Sequence, residues 1–406
     1  AFHREHESKL TIALTRILFP GAGLLVVAAW CLGVLNSHHK FLLSYAAPVV
    51  WNAAMIGTLV AFGGSSSQTR LAVMLAWGSV LGSLLQVAAQ VPAVLRVAPD
   101  LRFTFDVASE PVRTVGRNFV PVLITRGVVQ LSGYIDALLA SLLPTGAVTG
   151  ISNAATLYTL PVSLFGMSVA ASELPAMSGA AAPDAAALEA VRQRLDAGLR
   201  RIAFFVVPSA VAFLALGDVV AGAVLQTGRF TRADAVYVWA ILAGSSIGLV
   251  ASTLGRLYSA TLFALRDTRT PLRFAIVRVS LTTVLGYLFA IPLPHLLGVS
   301  AVWGAAGLTA SAGVAGWIEM FLLRRTLRSR VASTGIPAVH LVRLWSSALG
   351  AAALAWGVRW VLPTLHPIVE GALVLAPYGL TYLAATWALG VPEAATTLAR
   401  VLRRRG

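Results

Sequence analysis

The residues of this chain that could do chemistry are few, and they sit where charge is expensive. Four arginines (Arg16, Arg126, Arg256 and Arg278) and two acids (Asp136 and Glu319) lie inside long apolar runs. An ionisable side chain within a membrane-length apolar run is costly and marks a functional site by default. A guanidinium there offers a planar fork of donors that fits phosphate oxygens. Arginines gathered in one polar cavity would therefore suit an anionic substrate such as a phosphate or pyrophosphate head group. A structural ion pair, or snorkelling toward an interface, is the plainer account of the same residues. Arg16, only about six residues inside its run, snorkels most easily. Asp136 could bind a proton or Na⁺, or it could be a helix-packing aspartate. Arg126 and Asp136 share a run; on a helix they stand about 80° and about 15 Å apart, so neither can pair with the other.

Other chemistry is excluded. No Walker A sequence occurs, and the glycine-bearing stretch from Gly21 to Gly33 is a span rather than a dinucleotide loop. His38 and His39 are adjacent loop residues with no further ligands at metal-site spacing. Cys31 is the single cysteine, which rules out an intrachain disulfide and a cysteine zinc site. No cofactor is expected, beyond Na⁺ or H⁺ as a coupling ion. Prolines 20, 48, 121, 161 and 208 interrupt apolar runs and should bend the helices that hold them.

The elements that must carry these residues follow from composition. Of 406 residues, 57% are hydrophobic and 12% charged, too apolar to cover a water-facing surface. The net charge of +15 alone would suggest nucleic acid. The basic residues instead form short clusters between apolar runs, the layout of a polytopic membrane protein, so no nucleic-acid partner is expected. We read about eleven runs of spanning length: 10–35, 43–62, 71–94, 118–143, 147–171, 202–226, 235–265, 272–292, 297–323, 341–362 and 368–390. Backbone groups in lipid must pair within the chain, and short alternating strands are not seen, so the fold class is all-α, a polytopic helix bundle.

Orientation follows from the loops. One alternate set carries twenty-one Lys and Arg residues, among them Arg192, Arg194, Arg200, Arg201, Arg324, Arg325 and Arg328; the other set carries six. The positive-inside rule puts the first set, and with it the C-terminus, in the cytoplasm. Eleven spans then place the N-terminus outside, which motivates the expectation that an odd number of spans is missing upstream. Between spans, 188–201 repeats Leu188, Val191, Leu195 and Leu199 at helical spacing with arginines between them. That pattern predicts an amphipathic connector lying on the cytoplasmic leaflet. The basic tail RVLRRRG should be held by anionic lipid.

Several stretches resemble the MurJ/MviN family of bacterial lipid II flippases: RILFP (16–20), LNSHHKFLLSYAAPVVWNAAMI (35–56), LYTLPVSLFGMSVAASELPAMS (157–178), GRFT (228–231) and the run from Tyr258 through ALRDTRTPLR (264–273). They follow the family's order and span nearly the whole chain. The resemblance implies a two-lobed transporter of the multidrug/oligosaccharidyl-lipid/polysaccharide exporter type, usually with fourteen spans. If the first run matches the family's fourth span, eleven spans and a cytoplasmic C-terminus follow, and three spans are lacking. The chain then divides into 1–143, the rest of the N-terminal lobe; 144–335, the C-terminal lobe; and 336–406, an added helix pair and tail. In the family that pair, here 341–362 and 368–390, forms a groove for a polyprenyl tail.

The same resemblance bears on the site. Arg256 matches a basic position of the family's tenth span. An arginine and a glutamate of its eighth span align with Thr156 and Thr159. Asp136 matches a position some relatives use for Na⁺, but its expected Asn/Asp partners are apolar here, near Leu281 and Leu285. The implied function is translocation of lipid II from the inner to the outer leaflet by alternating access, for cell-wall synthesis, in a monomer of the bacterial inner membrane and not an enzyme. Another polyprenyl-linked oligosaccharide or a drug as cargo, or a truncated non-transporting membrane protein, are the alternatives.

Overall fold

The structure is a computed structural model that describes residues 2–38, 40–64, 67–99, 110, 113, 127, 130, 132–170, 172, 173, 177, 185–331, 334–363 and 365–403. All regular elements among them are helical. Seven described helices are long and apolar enough to cross a membrane, and a bent pair makes eight. The remaining expected runs meet identifiable limits. Run 43–62 is a shorter apolar helix, run 118–143 lies partly outside the described residues, and in run 147–171 the α-helix passes into a π-helical turn after Pro161.

The chain forms two compact units, Ala1–Arg113 and Thr114–Gly406. The first holds α1 (Phe2–Ser37), α2 (Phe41–Phe62) and α3 (Gln68–Val97). A Cβ at Gly82 of α3 would collide with Trp51 of α2, whose indole donates to the Ser79 carbonyl at 3.2 Å. Small residues are what let two membrane helices approach this closely.

The second unit opens with a helical stretch at 132–141. Leu139, Ala140 and Leu143 pack on Ala290 and Leu308 of the later helices. It continues with α4 (Ala147–Pro161), a π-helical turn at Val162–Met167, and α5 (Ala185–Leu225). Then come α6 (Arg232–Ser246), α7 (Leu249–Ala264), α8 (Arg269–Ala290), the short α9 (Pro292–Leu296) and α10 (Gly304–Val331). The chain ends with α11 (Ala338–Val361), α12 (Pro367–Ala388) and α13 (Pro392–Arg403).

Helix α5 is the hub of this unit. Its 41 residues extend about 62 Å, twice the hydrocarbon thickness. Phe204, Val207 and Leu216 are fully buried. The expected leaflet-lying connector 188–201 is the first part of this helix. Val191, Leu195 and Leu199 are fully buried in the protein core, and Asp196 accepts the Gly335 backbone N–H at 2.9 Å. The apolar stripe is real, but it faces protein rather than lipid.

Proline explains how α12 is fixed to α5. Pro208 has no N–H, so the Phe204 carbonyl loses its usual donor four residues on. The Tyr382 hydroxyl of α12 donates to that carbonyl at 2.6 Å, and Tyr378 donates to the Pro208 carbonyl at 2.6 Å. A helix break supplies the acceptor, and a neighbouring side chain answers it.

The motif ALRDTRTPLR is a helix stop followed by a helix start. Arg266 adopts a left-handed φ of 60° after the end of α7, and the Asp267 N–H returns to the Leu262 carbonyl at 2.9 Å. Asp267 Oδ1 then accepts the Arg269 and Thr270 N–H groups at 3.1 and 3.0 Å, capping α8. Arg330 of α10 pairs with Asp267 at 2.7 Å and holds this corner to the core.

Candidate substrate cavity

The cavity begins at the break between α6 and α7, where the axis bends by 43°. Gly248 lies at the break, and a Cβ there would collide with Gly313 of α10. The Ile247 carbonyl, which the break removes from the regular ladder, accepts the Trp317 indole N–H at 2.7 Å. Two glycines thus permit contact between helices, and a tryptophan satisfies the exposed backbone.

Beyond the break α7 is buried on most of its circumference. Its polar exceptions, Ser252, Arg256 and Ser259, recur at four and three residues and line one face with Phe263. Helix α8 contributes Pro271, Ala275 and Arg278 at the same kind of spacing. Helix α10 contributes Glu319. Together with Met167, at the end of the π-helical turn, they enclose a cavity of ≈ 550 Å³. A smaller cavity of ≈ 190 Å³ adjoins it, lined by Ser132, Asp136, Tyr158, Ser245, Thr282 and Thr309 among others. Ser252 and Arg278 line both. The Tyr158 hydroxyl meets Ser252 Oγ at 2.7 Å, while Ser252 donates to the Leu249 carbonyl at 3.1 Å.

The charges are unequally satisfied. Arg278 Nη1 lies 3.4 Å from Glu319 Oε2. Arg256 is exposed into the larger cavity. Its field reaches Glu319, yet it forms no ion pair with a described residue. Two guanidinium groups and one carboxylate leave the larger cavity with a formal surplus of one positive charge. An anion entering it could take bidentate hydrogen bonds from Arg256 without first breaking an ion pair to a described residue.

Of the residues singled out from sequence, Arg256 and Arg278 come together, and Asp136 joins them across Arg278. Arg126 lies outside the described residues. Arg16 is exposed on α1 of the first unit and lines neither cavity. Thr156 and Thr159 are exposed, line neither cavity, and donate their hydroxyls to the Ser152 and Ala155 carbonyls of their own helix. Leu281 and Leu285 are not in the smaller cavity; Arg278 and Thr282 are the α8 residues that face it. Sequence reasoning noted Glu319 but did not place it in the site, and it missed Tyr158, Ser252, Ser259 and Thr309. The spacing of Ser252, Arg256 and Ser259 was the signal available for the α7 face.

Comparison with known proteins agrees with this architecture. The family model described as "Lipid II flippase MurJ" matches residues 2–378. A probable lipid II flippase MurJ of Rhizobium meliloti (strain 1021) is 29% identical over 98% of this chain and 73% of its own length. The lipid II flippase MurJ of Burkholderia cenocepacia is 30% identical over 94% of this chain and 74% of its own. A solved structure, "Lipid II flippase MurJ, inward closed conformation", aligns with a TM-score of 0.74 at 19% identity, covering 93% of this chain and 74% of that one. That last likeness speaks to the fold. With a family model matching nearly the whole chain and a cavity set among its membrane helices, this chain belongs to the MurJ lipid II flippase family.

Proposed function

We propose that this protein is a lipid II flippase that carries its cargo from the inner to the outer leaflet by alternating access, supplying cell-wall synthesis. It makes and breaks no bond. The observation that carries the reading is the ≈ 550 Å³ cavity with Arg256 and Arg278 on its walls. A diphosphate in bare hydrocarbon would cost many kcal/mol, and a cavity that offers charge-assisted donors removes most of that cost. An apolar groove of ≈ 310 Å³ between α4, α5 and α12, lined by Leu164, Phe165, Pro208 and Leu375 among others, suits a prenyl tail. Alternating loop charge favours a cytoplasmic C-terminus in the bacterial inner membrane, with the basic tail on anionic lipid. A monomer suffices for this reading, because one chain supplies the cavity walls.

The test is replacement of the flippase in a depleted bacterial strain by the natural full-length protein. Rescue is expected, and Arg256→Ala should abolish it while membrane levels hold. Failure of the wild type to rescue would move the cargo to another polyprenyl-linked oligosaccharide. Rescue by Arg256→Ala equal to the wild type would remove this cavity from the pathway.

A further inference from the structure

The arginines near the end of α10 take no part in the substrate cavity. Phe321, Arg324, Arg325 and Arg328 recur at three and four residues along one face of the helix and line a cavity of ≈ 440 Å³. It shares no lining residue with the ≈ 550 Å³ cavity. Three guanidinium groups and no carboxylate line it. None of the three forms an ion pair with a described residue: Asp267 is taken by Arg330 at 2.7 Å, and Asp196 accepts the Gly335 N–H at 2.9 Å. Backbone holds the guanidinium groups instead. Arg328 Nε donates to the Thr334 carbonyl at 3.4 Å. Gly335, at a φ of 145°, lies so close to the Arg324 guanidinium that a Cβ there would collide with it. Arg324 Nε and Thr334 Oγ1 are buried and have no hydrogen-bond partner among the described residues. A basic cluster that sets orientation in the membrane needs charge but no fixed geometry; this one has both.

We propose that Arg324, Arg325 and Arg328 form a phosphate-binding site at the end of α10, which takes the head-group phosphate of an anionic lipid or free phosphate. Phosphate oxygens match the planar fork of a guanidinium, and no carboxylate in the cavity competes for these three. The layout along the helix favours the lipid as the source. Phe321 is exposed and stands about 10 Å farther into the membrane than Arg328. Its ring lies 5.7 Å from that of Trp317, one turn deeper. Aromatic rings toward the hydrocarbon and cations at the helix end reproduce the order of acyl chain and head group in a leaflet.

The site stands apart from the cargo reading, since neither Arg256 nor Arg278 lines it. Dioctanoyl phosphatidylglycerol, dioctanoyl phosphatidylcholine and inorganic phosphate would each be titrated by calorimetry into the purified full chain in a nonionic detergent. Phosphatidylglycerol should bind saturably to the wild type and about tenfold or more weakly to Arg328→Gln, which loses charged hydrogen bonds. Arg328→Lys keeps the charge but not the fork and should not restore binding. Arg325 is exposed, so Arg325→Gln weakens the site without disturbing the core. Arg201→Gln removes an exposed charge outside the cavity and should leave affinity within about twofold of wild type. Inorganic phosphate binding as tightly as phosphatidylglycerol, and lost in the same variants, keeps the site and assigns it to free phosphate. Three results overturn the proposal: no saturable binding of either anion, phosphatidylcholine bound as well as phosphatidylglycerol, or affinities in Arg328→Gln and Arg325→Gln no lower than in Arg201→Gln.

Discussion

Tyr382→Phe removes one hydroxyl and keeps the ring that packs 5.6 Å from Phe204. What is lost is the 2.6 Å hydrogen bond to the Phe204 carbonyl, whose usual helical donor is missing because residue 208 is proline. Both residues are buried, at 4% and 0% exposure, so water cannot replace the donor. A buried acceptor left unsatisfied costs about 1–3 kcal/mol, while interhelical hydrogen bonds in membrane proteins average about 0.6 and reach about 1.7. We expect about 1 kcal/mol, read as a fall of about 1 °C in the thermal midpoint of the detergent-solubilised protein. The control is Pro208→Ala. That substitution restores an N–H at the position that serves the Phe204 carbonyl, so Tyr382→Phe should cost under about 0.3 kcal/mol in its background. The double-mutant cycle thus isolates the proline-vacated carbonyl. An equal loss in both backgrounds would refute the reasoning and make Tyr382 a packing residue whose hydroxyl is incidental.

Three further outcomes are expected. Leu195→Ala should destabilise the protein by about 2–5 kcal/mol, because Leu195 is fully buried in protein; a melt within a degree of wild type would restore the leaflet-lying connector. Arg256→Ala should weaken a diphosphate ligand by about 1.5–3 kcal/mol, the worth of charged hydrogen bonds, whereas Thr156→Ala should leave calorimetric affinity unchanged because its hydroxyl is spent on the Ser152 carbonyl. The third concerns Asp267, in the connection between α7 and α8. Burial raises its pKa, but hydrogen bonds from Thr270 and Arg269 and the charge of Arg330 outweigh that and lower it overall. A depressed folded value means its stabilisation is present above the unfolded value, about 3.9, and is lost as pH falls through the folded one. Thermal midpoints of wild type and Asp267→Asn should therefore differ at neutral pH and converge in acid; a gap that persists there would sink the assignment.

Much of the fold was legible because lipid leaves few choices. Apolar runs of spanning length and alternating loop charge require helices. The two arginines that meet, Arg256 and Arg278, were legible for the same reason, since charge at membrane depth has few innocent explanations. Other features were not legible, for physical reasons. A stripe such as Val191, Leu195 and Leu199 records that one face is apolar but not whether protein or lipid covers it, because both are equally good solvents for leucine. Proline at 208 records a lost hydrogen bond, but not that Tyr382, 174 positions later, supplies the replacement. Glu319 was visible as a buried acid, but its pairing with Arg278 depends on how α8 and α10 cross, which single-sequence periodicity does not encode.

Helix α10 joins these local facts into a mechanism. Trp317 and Glu319 are two residues apart, so they point about 200° apart around the helix. One face holds the Ile247 carbonyl at the bend between α6 and α7. The other holds Arg278 of α8. Rotation of α10 therefore cannot change the Arg278 ion pair without also disturbing the carbonyl that the bend leaves free. Gly248, just before α7, and Gly313 of α10 approach too closely for a Cβ on either. Charge state in the cavity and the angle of the broken helix are thus mechanically linked through one helix.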